Sequence, residues 1–408
     1  MASPAAPVAL LPERPGISKK DSDIASGNRW IDGDKIIFID GKPQKLGGNA
    51  VLDLSSVTDP IRGVLAWSTQ LLAPFIGYGT HRKLYVADQQ LTAPYDITPV
   101  EHSGILTDPF TTTIGSADVE VEDTTHHPAV GDEFIFSGAS AVGGITIDGS
   151  YDVVSIIDHD HFTITHASAA TSSATGGGSV NYEHLLAIGG VDPILGDGYG
   201  SGGYGLFDYG EPTEDTEGNV IFEPRVWSLD NYGDLMLANP VNNGIYEFDP
   251  NDTPAYQRAV AITNAPTECR SIFVTPERFI FALGCDGDPM NIKWPDQNDR
   301  TNWTAGSTTT ANSRRLREGT RIIAGSGLAN LVSVVWTDTA LYRFQYTGSS
   351  FVYDSQLVGT NCGLVSPLAK VVHLGVAYWM SFNDYMMYSG GAPQPIPNSE
   401  DVREFVFR

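Results

Sequence analysis

The stretch Asp158-His159-Asp160-His161-Phe162 is the first place where residue types and spacing could do chemistry. In an extended strand, residues two apart share a face, so His159 and His161 would present two imidazoles together, a spacing that can chelate a metal. Four more of the nine histidines, His126, His127, His166 and His184, fall in the same region. The alternating aspartates suit a solvated hairpin tip equally well, and a closed metal site needs further ligands that the sequence does not place. The hairpin is the reading adopted, and no metal-ligating set is assigned.

Two other stretches invite a ligand. "GYGSGGYG" (198–205) holds a formal GxGxxG at Gly198, Gly200 and Gly203. A dinucleotide fingerprint needs a strand before it and a helix after it, and "LFDYGEPTEDTEGN" cannot start a helix. A glycine-rich loop is the better reading. "DPMNIKWPDQNDRTNWT" (288–304) carries two tryptophans among aspartates and asparagines. Ile292 and Trp294 would bury on one strand face, Pro295 would end the strand, and Trp303 would fold back from a turn-rich loop. The alternative for Trp303 is a stacking platform for carbohydrate. No HExxH, Walker loop or G-x-S-x-G elbow occurs. No catalytic residue and no cofactor is assigned.

The surrounding chain reads as all-β. Charged residues are 18% and aromatics 10%, with 43 glycines and 25 prolines among 408 residues, the mark of short strands cut by turns. A net charge of −25 argues against a sequence-independent grip on nucleic acid, which needs a basic surface. An acidic lumen could still let a duplex slide without sticking. Cys269, Cys285 and Cys362 form no CxxC and leave an odd count, which fits a reducing cytoplasm better than a secreted disulfide framework. No apolar run reaches the 18 residues that would suggest a membrane span, so stable membrane insertion is not expected. Helical patterning is confined to 253–264 and to the last residues, where Ser399 is a candidate cap.

Four strand-like runs repeat at intervals of 46, 50 and 44 residues: "GIYEFDP", "MNIKWPD", "ALYRFQY" and "DYMMYSG", each ending on an aromatic, Phe248, Trp294, Phe344 and Tyr388. A second strand-like run precedes each. That period matches a propeller blade. An earlier copy spans 64–88, but Val86 and Phe248 are 162 residues apart. Removing a stretch of different character (107–182) leaves room for two periods. The predicted architecture is a β-propeller-like body (61–106 and 183–408) interrupted by a small inserted β-barrel or β-sandwich (107–182), preceded by an N-terminal segment (1–60). A β-sandwich body is the rival. Trp227, Phe248, Trp294, Trp336, Phe344, Trp379 and Tyr388 are the expected blade-core aromatics.

Several of these segments resemble a known family. "RVWSLDNYGDLMLANPVNNGIYEFDP" (225–250), "GDPMNIKWPDQNDRTNWTAG" (287–306), "LVGTNCGLVSP" (357–367), "GVAYWMSFNDYMMYSGGAPQPIP" (375–397) and the inserted stretch are similar to the tail nozzle, or packaged-DNA stabilisation, proteins of short-tailed bacteriophages. The resemblance implies a non-enzymatic virion protein of the tail, assembled in the bacterial host cytoplasm. It implies six copies in a ring around a DNA channel, beside adaptor or portal-side proteins and tail fibres, with the N-terminal segment docking to neighbours. DNA would pass without sequence-specific binding. Members continue beyond the point where "DVREFVFR" stops, which puts the last blade or its closing strand in question. The alternative function is a receptor- or carbohydrate-binding propeller at the tail tip. A propeller glycosidase is a third reading and needs two carboxylates at a defined separation.

Overall fold

A computed structural model of the chain describes residues 17, 30, 32–47, 57, 59–88, 94–124, 128–191, 223–348, 352–397 and 399–407. These residues form an all-β molecule: five four-stranded antiparallel sheets arranged as propeller blades, and one eight-stranded sheet curled into a nearly closed barrel. The rival sandwich body is not what forms.

Blade 1 comprises Gly63–Ser68, Pro74–Gly79, Leu84–Asp88 and Tyr95–Asp96. Blade 2 is Trp227–Tyr232, Leu235–Pro240, Tyr246–Phe248 and Val260–Ala261. Blade 3 is Ser271–Val274, Ile280–Leu283, Asn291–Trp294 and Asn312–Arg315. Blade 4 is Ile322–Gly327, Val332–Thr337, Ala340–Tyr346 and Tyr353–Thr360. Blade 5 is Lys370–His373, Val376–Met380, Tyr385–Tyr388 and Gln394–Pro395. Each is a meander in chain order, so the first strand is innermost and the fourth is the outer edge.

In blades 2 to 4 the second strand is buried on both faces, while the third strand of blades 2 and 3 alternates, and their apolar residues bury between successive blades. Trp227 and Phe248 sit in the core between blades 1 and 2. Trp294 and Phe344 sit between blades 3 and 4. Trp336, Trp379 and Tyr388 sit between blades 4 and 5. A further core, including Leu237 and Ile280, joins blades 2 and 3. Burying one such side chain contributes about 1.5–3 kcal/mol. Among the described residues no such cluster joins blade 5 to blade 1, and Val64, Leu368 and Val371 are exposed there.

The seam between blades 1 and 2 shows how close the packing is. A Cβ on Gly79 would stand 2.3 Å from the Trp227 ring, so only glycine fits. The indole N–H of Trp227 donates to the Thr80 carbonyl at 2.6 Å. Blades 1 and 2 are therefore neighbours. The 162-residue interval between Val86 and Phe248 is one blade step plus a long excursion, not the two periods expected from spacing. Residues 192–222 of that interval lie outside the described residues, and "GYGSGGYG" with them.

The excursion is the barrel, carried on the connection from the outer strand of blade 1 to the inner strand of blade 2. Its strands are Val100–Thr107, Phe110–Thr112, Asp118–Glu122, Glu133–Ser137, Gly149–Ile156, His161–Thr165, Ala174–Gly176 and Ser179–Leu185. The sheet thus begins before residue 107 and ends after 182, because Val100–Thr107 pairs with Ser179–Leu185 as the two legs that enter and leave it. Strict alternation puts Val119, Val121, Phe134, Phe136, Phe162 and Ile164 inside.

Residues 253–264 do not form the helix their pattern suggested. Val260–Ala261 instead adds the edge strand of blade 2, and Tyr256 stacks on Tyr95 of blade 1 at 3.7 Å. Tertiary packing overrides a weak local preference there. The terminal helix, Glu400–Val406, does form with Ser399 at its N-cap, but the Ser399 hydroxyl donates back to the Ile396 carbonyl and makes no cap bond. In the N-terminal segment, Ile36–Ile39 pairs with Lys42–Lys45 around Asp40-Gly41, both at positive φ, as a two-residue hairpin turn requires.

Candidate functional site

The inner strands of all five blades surround one axial cavity of about 300 Å³. Asp230 enters it from blade 2 and Lys370 from blade 5, with Arg270 and Ser271 from blade 3. One Asp230 oxygen accepts the Val274 N–H at 2.7 Å and the other accepts the Asn231 N–H at 2.8 Å. Burial raises the Asp230 pKa, against the pull of those amides and of Lys370. Burial lowers the Lys370 pKa, with Asp230 opposing. The two do not form a direct ion pair. Glu223 bridges Arg270 and Arg321.

This chamber can hold a small polar molecule. It is far too small for a duplex, so a DNA path cannot run along the axis of one propeller. Among the described residues that line it, Asp230 is the one carboxylate, so the paired carboxylates of glycoside hydrolysis are not assembled there.

A second cavity, about 850 Å³, lies between blade 1 and the barrel. Arg82 pairs with Asp152 at 2.8 Å, and Lys83 reaches Glu133 at 2.7 Å and Asp96 at 3.1 Å. Burial would lower the Lys83 pKa, but its two carboxylates outweigh that and raise it. Burial would raise the Asp96 pKa, but hydrogen bonds from Thr98 and the charges of Lys83 and Arg258 hold it below the usual range. The Arg82–Asp152 pair is partly exposed and worth about 0–1 kcal/mol; with the more buried Lys83 pair to Glu133 it orients the barrel on blade 1. Tyr85, Tyr151 and His166 line the same cleft.

The histidines are spread over this module rather than gathered. His161 pairs with Asp158 at 2.8 Å, His166 accepts the Ser168 N–H, and His184 reaches buried Asp132 at 3.3 Å. His126 and His127 lie outside the described residues. Among the described residues no three His, Cys, Asp or Glu side chains are grouped to hold a metal. All three cysteines are free and buried, and burial raises their pKa values.

Trp303 is 4% exposed, packs between blades 2 and 3, and donates its indole N–H to the Arg300 carbonyl at 2.7 Å. It cannot serve as a sugar platform. The seven blade-core aromatics are buried in three separate inter-blade cores and converge on no single site. Asp230 and Lys370 escaped sequence reasoning because "SLDNYG" reads as a turn and "KVVH" is too short to show a period. No helix among the described residues is long and apolar enough to cross a membrane.

No family model and no curated protein matches the sequence. Among solved structures, the chain is similar to "Phage phi92 endosialidase" at 14% identity and a TM-score of 0.27, over 83% of this chain and 55% of that one. It thus spans about half the length of that protein. It is also similar to a streptogramin B lyase at 9% identity and a TM-score of 0.27, over 85% of this chain and 87% of the other. Likeness at this level carries no information about activity.

Proposed function

We propose that this chain is a structural subunit of a phage tail, of the nozzle type, whose copies form a ring that retains packaged DNA and conducts it during ejection. The observation that supports this reading is where the resembling segments fall. Residues 225–250, 287–306 and 375–397 build blades 2, 3 and 5, and the inserted stretch builds the barrel. A propeller with one inserted β module is the architecture the resemblance implies. The narrow axial cavity adds a constraint: the DNA path must lie between copies, against acidic outer surfaces that a net charge of −25 provides. Six copies, and neighbours such as adaptor proteins and tail fibres, belong to this proposal.

Immunogold labelling of intact particles tests it. Gold clustered at the distal tail is expected, with rings visible when the purified chain is imaged. Particles that lack the protein, or carry it elsewhere, would remove the nozzle assignment.

The cleft between blade 1 and the barrel favours one second reading, a carbohydrate-binding role. Tyr85 and Tyr151 supply aromatic faces beside Glu133, Asp148 and Asp152. On that reading a glycan array shows hits that Tyr151→Ala abolishes, and an array blank for the parent chain ends it.

A further inference from the structure

The turns between the first and second strands of the five blades all lie on one face, because each touches the next. The Gln70 N–H of blade 1 donates to Asp234 of blade 2 at 2.8 Å. Arg278 of blade 3 lies over the Tyr232 ring of blade 2 at 4.7 Å. Gly327 of blade 4 stands against Pro276 of blade 3, and Gly375 of blade 5 against Ala329 of blade 4.

On this face leucines stand in solvent. Leu71 and Leu72 of blade 1 are 86% and 82% exposed, Leu374 of blade 5 is 88% exposed, and Leu331 of blade 4 is 48% exposed. Leu72, Leu331 and Leu374 also have φ of +61°, +59° and +49°. A bulky side chain is strained in that region, where glycine or asparagine would cost less. The matching turn of blade 2 uses Gly233 at +69°, and that of blade 3 uses Arg278, whose side chain covers a neighbouring ring. Folding alone would select neither the exposure nor the strain, and three turns, those of blades 4, 5 and 1, carry both. Such conflicts with local preference mark functional positions.

The charge beside the blade 1 leucines selects the partner. Asn251 bonds Asp234 at 3.4 Å, which brings the loop bearing Asp249 and Asp252 to the same rim. Asp234, Asp249 and Asp252 form no ion pair among the described residues. We infer that this face is a docking surface for another protein, one that presents an apolar patch flanked by lysine or arginine. A second copy of this chain would meet the rim with like charge, and so would an anionic membrane. The inference stands on the propeller geometry and does not depend on the tail reading.

The probe is a synthetic helical peptide of leucine and lysine, titrated into the full chain, with a leucine–glutamate peptide as control. The lysine peptide is expected to bind and to weaken with added salt. Leu72→Gly/Leu331→Gly/Leu374→Gly should weaken it about tenfold or more, while melting no lower than the parent because the strain is relieved. Asp252→Lys, at an exposed position, should weaken binding without touching the turns. Equal binding of the glutamate peptide, or affinity unchanged in both variants, overturns the inference. So does parent-chain self-association in sedimentation that the triple variant abolishes, which would make the face a contact between copies.

Discussion

Trp336→Ala is expected to lower the stability of the propeller by about 3–5 kcal/mol, the range for truncating a fully buried large aromatic. Trp336 is 0% exposed and meets Trp379 edge-to-face at 5.6 Å, at the centre of the core between blades 4 and 5. Both the transfer term and the cavity term apply, since the surrounding Leu341 and Tyr388 are held by their own strands and Leu364 by the N–H it donates to the Thr337 carbonyl, so none collapses freely into the space. All seven tryptophans lie outside residues 100–185, and six of them (all but Trp30) lie in the propeller, so indole emission reports chiefly the propeller and leaves the barrel silent. Urea unfolding followed by that emission should show the midpoint falling with little change in slope. Trp336→Phe, which keeps a ring in the site, should lose distinctly less. A change under about 1 kcal/mol for the alanine variant would mean that blades 4 and 5 do not share this core.

The effect of such a substitution was foreseeable because the middle two strands of each blade are legible in sequence. "LVSVVWTD" is apolar nearly throughout because both its sides face neighbouring blades, and "ALYRFQY" carries an apolar run that ends on buried Phe344. The inner strands were not legible. Ser228, Asp230, Ser271, Gly325 and Ser326 line a narrow cavity, where small or polar side chains fit and no apolar period arises. The outer strands were missed for a different reason: Tyr95–Asp96, Val260–Ala261 and Gln394–Pro395 have two residues each, too few to carry a pattern. The candidate sites suffered most, since cavity and cleft are built from side chains on elements far apart in the chain. Arg82 and Asp152 meet only because the barrel folds back onto blade 1. Nothing local to either residue records that. The leucine turns illustrate the opposite case. Leu72, Leu331 and Leu374 are visible as letters, but their exposure and positive φ exist only in the folded backbone.

The second large effect is expected at Asp132, the buried carboxylate at the base of the barrel. Asp132 is 1% exposed and accepts from three donors: the Ala129 N–H at 2.8 Å, the Ile188 N–H at 3.0 Å and His184 Nε2 at 3.3 Å. Ile188 lies on the chain leaving the barrel for blade 2, and His184 stacks on core Phe134 at 4.4 Å. One side chain therefore ties the loop before Glu133–Ser137, the last strand and the exit of the module together. Asp132→Ala strands one buried donor, His184, and two part-buried amides; a buried donor costs about 1–3 kcal/mol and the amides less, and because all three share one partner the total should be about 2–4 kcal/mol rather than a simple sum. Burial acts to raise the Asp132 pKa, but the bonds from His184 and the two amides outweigh it and hold the pKa below the ordinary value. A depressed folded-state pKa means the stabilisation is present above the unfolded value near about 3.9 and is lost as pH falls through the folded value. Asp96, shifted in the same direction at the barrel–blade junction, adds to the same acid limb. Hydrogen exchange at the amides of Glu133–Ser137 and Ser179–Leu185 is the direct readout, since it resolves local opening without a tryptophan. Protection there should drop below about pH 4 in the parent chain and be low at every pH in Asp132→Ala. Protection that stays at the parent level in the variant would mean the barrel is held by its Phe134–Phe162 core alone, with the carboxylate a passenger.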